Sequence, residues 1–170
     1  NFYGLMRYSL IASLLLCSVG ISAQTSLVIE GKSYTNSEEY WTGVIIPRNV
    51  PTALIFRNNS IKSSNAGGYM LQAGDDVVSS TNNNLDGEVI TGNKFVWEGT
   101  DMTCIAHGLF TGNNINALIK YNSLSQVPMG IIRKSSSNMS DTEGGIAYNI
   151  VKSGAVAINI KGISNIHIYN

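Results

Sequence analysis

Leu118-Ile119-Lys120-Tyr121-Asn122-Ser123-Leu124 and Gly145-Ile146-Ala147-Tyr148-Asn149-Ile150-Val151 are two copies of one pattern. In each, a large apolar residue stands three positions before an asparagine and another stands two positions after it. Two earlier segments repeat it. Leu54-Ile55-Phe56-Arg57-Asn58-Asn59-Ser60-Ile61 carries Phe56 and Ile61 around Asn59, and Val89-Ile90-Thr91-Gly92-Asn93-Lys94-Phe95 carries Ile90 and Phe95 around Asn93. A fifth copy, Ile166-His167-Ile168-Tyr169-Asn170, breaks off one residue short of the asparagine position. Alternation with a period of two, interrupted at a bend and resumed with the apolar face still inward, is the signature of short strands that turn a corner.

The marker asparagines Asn59, Asn93, Asn122 and Asn149 are spaced by 34, 29 and 27 residues, the length of one coil in a solenoid. Asparagine tolerates the left-handed backbone region, so the marker is expected at the bend itself. Identical amides stacked on one another can also hydrogen-bond along the stack as a structural ladder. The spacing predicts an all-β chain, a right-handed parallel β-helix of about four to five coils. The rival, an antiparallel sandwich or jelly roll, uses similar strands and turns but demands no asparagine at a fixed phase.

Composition agrees with strands and turns. The chain has 19 Asn, 20 Ser, 20 Ile and 17 Gly, and charged residues are only 13%, balanced at 11 basic and 11 acidic. No basic excess exists to displace counterions, which argues against nucleic acid as a partner. Met6-Arg7, the apolar run from Leu10 to Ile21 and the small pair Ser22-Ala23 read as a secretory signal peptide cleaved after Ala23. The run is short of the roughly 20 residues a membrane span needs, so none is expected after cleavage. Leu16 before Cys17 disfavours a lipid anchor, and Cys104 reads as a small buried hydrophobe. The expected organisation is residues 1–23 as upstream residues and signal, 24–51 as an N-terminal cap, and 52–170 as β-helix repeats of a chain that continues. Within the cap, Tyr34, Tyr40, Trp41 and Val44-Ile45-Ile46 are expected to cover the end of the stack.

The stretches His107-Gly108-Leu109-Phe110-Thr111-Gly112, Ile119-Lys120-Tyr121-Asn122, Val127-Pro128-Met129-Gly130-Ile131-Ile132-Arg133-Lys134-Ser135 and Gly144-Gly145-Ile146-Ala147-Tyr148-Asn149-Ile150-Val151-Lys152 resemble secreted bacterial right-handed β-helix repeat proteins of the pectin-lyase-like superfamily. The resemblance covers residues 52–170. It implies the fold and export to the periplasm, the cell surface or the medium. Activity carries over only from the wider superfamily, whose members include enzymes cleaving acidic polysaccharides as well as tailspikes and adhesins.

Two enzymatic readings follow. Asp75-Asp76, His107-Gly108 and Arg133-Lys134 stand in the chain order of a polygalacturonase-like glycoside hydrolase. Two carboxyl groups would act as acid and base, His107 would tune one of them, and Arg133 and Lys134 would hold an anionic sugar. No Asn-Thr-Asp-like triplet precedes Asp75, which weakens the match. A polysaccharide lyase would need a basic residue and a cation such as Ca²⁺, with Asp75, Asp76, Asp101, Asp141 and Glu143 as the oxygen donors at hand. Each of these acids reads first as a solvated loop residue. His167 alternates with Ile166 and Ile168 and is expected to face outward. Tyr121, Tyr148 and Tyr169 fall on one side of the turn, either as a platform for sugar rings or as packing between coils. The expected function is recognition or degradation of an extracellular polysaccharide. The alternative is a non-catalytic, adhesin-like surface solenoid.

Overall fold

The computed structural model describes residues 26–36, 44–46, 54–74, 85–103, 107–112 and 114–170. The signal segment, Tyr40, Trp41, Asp75, Asp76 and Cys104 lie outside them. Within the described residues the chain forms strands and no helix. In chain order these are β1 (Leu27–Glu30), β2 (Ser33–Asn36), β3 (Val44–Ile46), β4 (Leu54–Arg57), β5 (Ser60–Ser63) and β6 (Tyr69–Gly74). There follow β7 (Leu85–Asp86), β8 (Val89–Thr91), β9 (Lys94–Trp97), β10 (His107–Gly112) and β11 (Asn114–Ile115). The last are β12 (Leu118–Lys120), β13 (Ser123–Ser140), β14 (Gly145–Ala147), β15 (Ile150–Ser164) and β16 (His167–Tyr169).

One sheet runs β1-β4-β8-β12-β14-β16, a second runs β2-β5-β9-β13-β10-β6-β3 with β15 on β13, and β7 pairs β11. Every described pairing is parallel. Each strand therefore lies on its counterpart from the neighbouring repeat, an arrangement compatible with a β-solenoid. The apolar columns read from the sequence meet in register. Phe56 faces Ile90, Ile90 faces Ile119, and Ile119 faces Ile146. On the far side of the corner Ile61, Phe95, Leu124 and Val151 line up in the same way. All but Val151, in the last pair of strands, are buried, so each repeat supplies inward groups that its neighbours cover.

The corner differs from the expected one. The left-handed residue is the one before the marker: Asn58 (φ 55°), Gly92 (φ 67°), Tyr121 (φ 57°) and Tyr148 (φ 53°), preceded by Gly31 (φ 64°). The marker asparagine turns its amide inward instead. Asn93 Oδ1 accepts the Asn59 backbone N–H (2.9 Å) and the Asn59 amide (3.1 Å). Asn93 Nδ2 donates to Phe56 O (3.0 Å) and to Asn122 Oδ1 (2.9 Å). Asn122 repeats the scheme with Ile90 O and Asn149 Oδ1, and Asn149 donates to Ile119 O. The physical reason is a division of labour. The residue with positive φ points its side chain to solvent, while the next one reaches the dry interior, where an amide has no water to compete for it.

The described strands of segment 24–51 pair in parallel with those of the next repeat. Leu27–Glu30 pairs with Leu54–Arg57, Ser33–Asn36 with Ser60–Ser63, and Val44–Ile46 with Leu71–Ala73. Its marker position holds Lys32, whose backbone N–H donates to Asn59 Oδ1 (2.9 Å). A lysine has no amide, so the side-chain ladder ends there while the backbone contact persists.

Removing one rung tests this arrangement. Asn93→Ala strands buried donors and acceptors on both sides and is expected to lower the unfolding free energy by about 3 kcal/mol or more. Thr91→Ala, two residues earlier on a partly exposed position, is expected to stay within about 0.5 kcal/mol. Urea titration of both proteins reads the difference.

Candidate functional site

Arg133 is fully buried, unlike a residue that grips a sugar on the surface. It lies in β13 opposite Thr111 of β10 and Ile160 of β15, and Thr111 in turn opposes Ala73 of β6. This is an inward column. Its guanidinium donates from Nη1 to Asp141 Oδ2 (2.5 Å) and from Nη2 to Asp141 Oδ1 (3.2 Å) and Asn114 O (2.9 Å). Asp141 is also buried, and its Oδ1 accepts the Asn116 N–H (2.9 Å). The turn Asp141-Thr142-Glu143-Gly144-Gly145 is thus pinned from inside, and the acid expected in solvent is the partner of an internal arginine. Gly144 packs so tightly on the Asp141 carboxylate that a Cβ has no room there.

Glu88 completes the cluster. It is fully buried, and its Oε2 accepts the Asn114 amide (2.7 Å). Burial raises its pKa from 4.5 to about 8, and the positive charge of Arg133 and the Asn114 hydrogen bond offset only part of that rise. At neutral pH the carboxyl keeps its proton and carries a hydroxyl donor beside a buried ion pair. Glu88 Oε1, Asn114 Oδ1, Thr111 Oγ1 and Arg133 Nε have no hydrogen-bond partner among the described residues. Sequence reasoning missed Glu88, although a signal existed. Five residues before each marker stand Leu54, Glu88, Ala117 and Gly144, an inward column that is small or apolar except for this acid.

Asp75 and Asp76 lie outside the described residues, and the remaining described candidates stand as follows. His107 lies in β10 with its backbone opposite Tyr69 and Met129, four residues before Thr111. Lys134 follows Arg133 on the strand and is half-buried. Asp101 is exposed, and hydrogen bonds from the Thr103 hydroxyl (2.6 Å) and N–H (2.9 Å) lower its pKa. Glu143 and His167 are exposed. Among the described residues no three His, Cys, Asp or Glu side chains group as metal ligands.

The outer corner brings a different set together. Tyr121 and Tyr148, both at left-handed positions, stack with ring centroids 5.1 Å apart and planes 8° apart. Tyr169 meets Tyr148 edge-on at 5.6 Å. All three are about half exposed, and Tyr121 most of all at 58%. The Lys120 ammonium lies 5.8 Å from the Tyr121 centroid. Beside Tyr148 and Tyr169 an open cleft of about 420 Å³ is lined by Asn149, Val151 and Ile168. Half-exposed aromatic rings with a flanking cation suit a ligand that has apolar surface and polar edges.

Comparison with known proteins returns no match: no known family, no curated protein and no solved structure matches this chain.

The buried acid makes stability depend on pH in a definite direction. Glu88 is protonated in the folded state up to about pH 8, whereas the unfolded chain releases that proton near 4.5. Its contribution is complete below 4.5 and declines as pH rises to about 8, with a slope of up to about 1.4 kcal/mol per pH unit. Glu88→Gln is expected to remove that decline and to exceed the parent protein in stability at pH 7.5. Urea midpoints measured from pH 5 to 8.5 check both statements.

Proposed function

We propose that this chain is an exported right-handed parallel β-helix of about four to five coils, of pectin-lyase-like type, that recognises an extracellular polysaccharide without cleaving it. One observation carries the reading: a flat stack of tyrosines stands exposed at the corner of successive repeats. That corner requires a left-handed backbone, which costs an ordinary side chain on the order of 1 kcal/mol and costs glycine nothing. Two tyrosines nonetheless occupy it. An unfavourable backbone choice that places an aromatic ring at the surface points to a use for that ring. The half-exposed rings offer apolar surface and phenol hydroxyls to a sugar, and a repeating polymer matches a repeating platform.

Recognition is favoured over degradation by the location of Arg133. A side chain enclosed with Asp141 inside the stack is not available to hold substrate. The hydrolase reading loses one of its two sugar-binding cations and rests on Asp75, Asp76, His107 and Lys134. A Ca²⁺-assisted lyase loses Asp141 as a donor for the same reason.

Affinity electrophoresis against a polysaccharide panel, with product release assayed on the same polymers, tests the proposal. The expected result is retardation by at least one polymer without new reducing ends or unsaturated products. Tyr148→Ala should weaken that retardation about tenfold at unchanged thermal stability. Cleavage that disappears in Asp76→Asn would overturn the non-catalytic reading, and no retardation by any polymer would overturn recognition itself.

A further inference from the structure

Four interior side chains from two neighbouring repeats are linked around Glu88. Glu88 Oε2 accepts the Asn114 amide at 2.7 Å. The same amide donates to Ala73 O (3.3 Å), and Ala73 is the strand neighbour of Thr111. Thr111 in turn lies opposite Arg133, whose Nη2 reaches Asn114 O (2.9 Å). Adjacent strands of a parallel sheet stand about 4.8 Å apart, so these links hold all four side chains within one small volume. Each of the four is fully buried. Among the described residues, Glu88 Oε1, Thr111 Oγ1, Asn114 Oδ1 and Arg133 Nε have no hydrogen-bond partner. Folded interiors leave few such atoms, and four in one cluster call for a common cause.

Counting hydrogens decides what kind of group satisfies them. Arg133 Nε carries one hydrogen and can only donate. Asn114 Oδ1 can only accept, because both amide hydrogens go to Ala73 O and Glu88 Oε2. Burial keeps the Glu88 carboxyl protonated at neutral pH. Its Oε2 already receives a donor, so the proton sits on Oε1 and makes that atom a donor. The Thr111 hydroxyl oxygen accepts. The four atoms therefore offer two hydrogens and take two. A metal cation suits the oxygens but is opposed by the Nε–H and the charge of Arg133. An anion suits Nε but is opposed by the Asn114 oxygen. A water molecule accepts two hydrogen bonds and donates two, and two to four polar partners are what a buried water requires.

We infer that Glu88, Thr111, Asn114 and Arg133 form an internal binding site for one water molecule. The water accepts from Arg133 Nε and Glu88 Oε1 and donates to Asn114 Oδ1 and Thr111 Oγ1. Glu88 and Thr111 belong to the repeat of Asn93, and Asn114 and Arg133 to the repeat of Asn122. The water is thus shared between adjacent repeats, a polar contact separate from the asparagine ladder. It also ties the neutral acid before β8 to the Arg133–Asp141 pair, and through that pair to the turn after β13.

A crystal structure and two substitutions test the site. One density peak is expected within roughly 2.7–3.2 Å of all four atoms. The absence of a peak overturns the inference. So does a peak with the three oxygens at roughly 2.3–2.6 Å, the distances of a cation such as Ca²⁺. Thr111→Val keeps the shape of the side chain and removes the hydroxyl. A hydroxyl bonded to a held water is lost at a cost, so the urea midpoint is expected to fall. A hydroxyl with no partner is better replaced by a methyl group, so a rise in the midpoint overturns the site. Glu88→Gln places an N–H donor where the Oε1 proton stood and still offers an oxygen to the Asn114 amide. It is expected to keep the density peak, and loss of the peak in that variant overturns the donor role of Glu88 Oε1.

Discussion

A buried primary amide has two N–H donors and one oxygen able to accept twice, and inside an apolar stack it must satisfy all of them with protein groups. Asn93 and Asn122 do so by exchanging hydrogen bonds with the repeat on either side. The consequence is a register constraint. If one repeat slipped by a residue against the next, the oxygen would lose both of its donors and the apolar columns would turn outward together. Packing alone tolerates many aliphatic exchanges, as the Phe56, Ile90, Ile119, Ile146 column shows. The amides do not. They convert a stack of interchangeable layers into one with a fixed phase, and the exposed corner inherits that phase.

The second polar feature of the interior works differently. The Arg133–Asp141 pair joins the interior of β13 to the turn that follows the strand, eight residues on, and Arg133 reaches back to Asn114 O. Enclosing two charges carries a desolvation cost that their attraction does not reliably exceed, so the pair is better understood as specifying the path of the chain than as strengthening it. Glu88 beside it stays neutral because a second buried negative charge would be unsupported. One interior thus contains a neutral ladder that sets register and a charged knot that fixes a turn.

The sequence made the first legible and hid the second. The ladder shares its spacing with its apolar neighbours, so −3 and +2 positions identify themselves in four repeats. The left-handed residue stands one position before the marker, and asparagine fits either role: in Asn58-Asn59 it fills both. Glu88 stood within reach, five residues before a marker. Arg133 did not. Its column partners Ala73 and Thr111 lie 14 and 18 residues after their markers, whereas Arg133 lies 11 after its own. The chain between corner strand and inward strand differs in length, with breaks between β5 and β6 and between β9 and β10 but none within the continuous β13, and that removes the constant offset that makes a column visible. An inward arginine next to an outward lysine then looks like a basic pair, and only the register separates them.

The same geometry explains why the proposed recognition is placed at the outer corner rather than on the sheet faces. Backbone hydrogen bonds at the corner join each repeat to the next: Asn58 N–H to Thr91 O, Gly92 N–H to Lys120 O, Tyr121 N–H to Ala147 O. The bend is therefore held by main chain and by the buried amide one residue later, and neither depends on which side chain stands at the left-handed position. That side chain is free to vary as long as its backbone cost is met. Across the described repeats it is glycine, asparagine, glycine, tyrosine and tyrosine, a change from minimal to maximal ring surface over a few layers. A core column under packing constraint cannot vary so widely. The corner can, and rigid support directly behind a variable, ring-bearing position is the condition under which a binding surface gains affinity without first ordering itself.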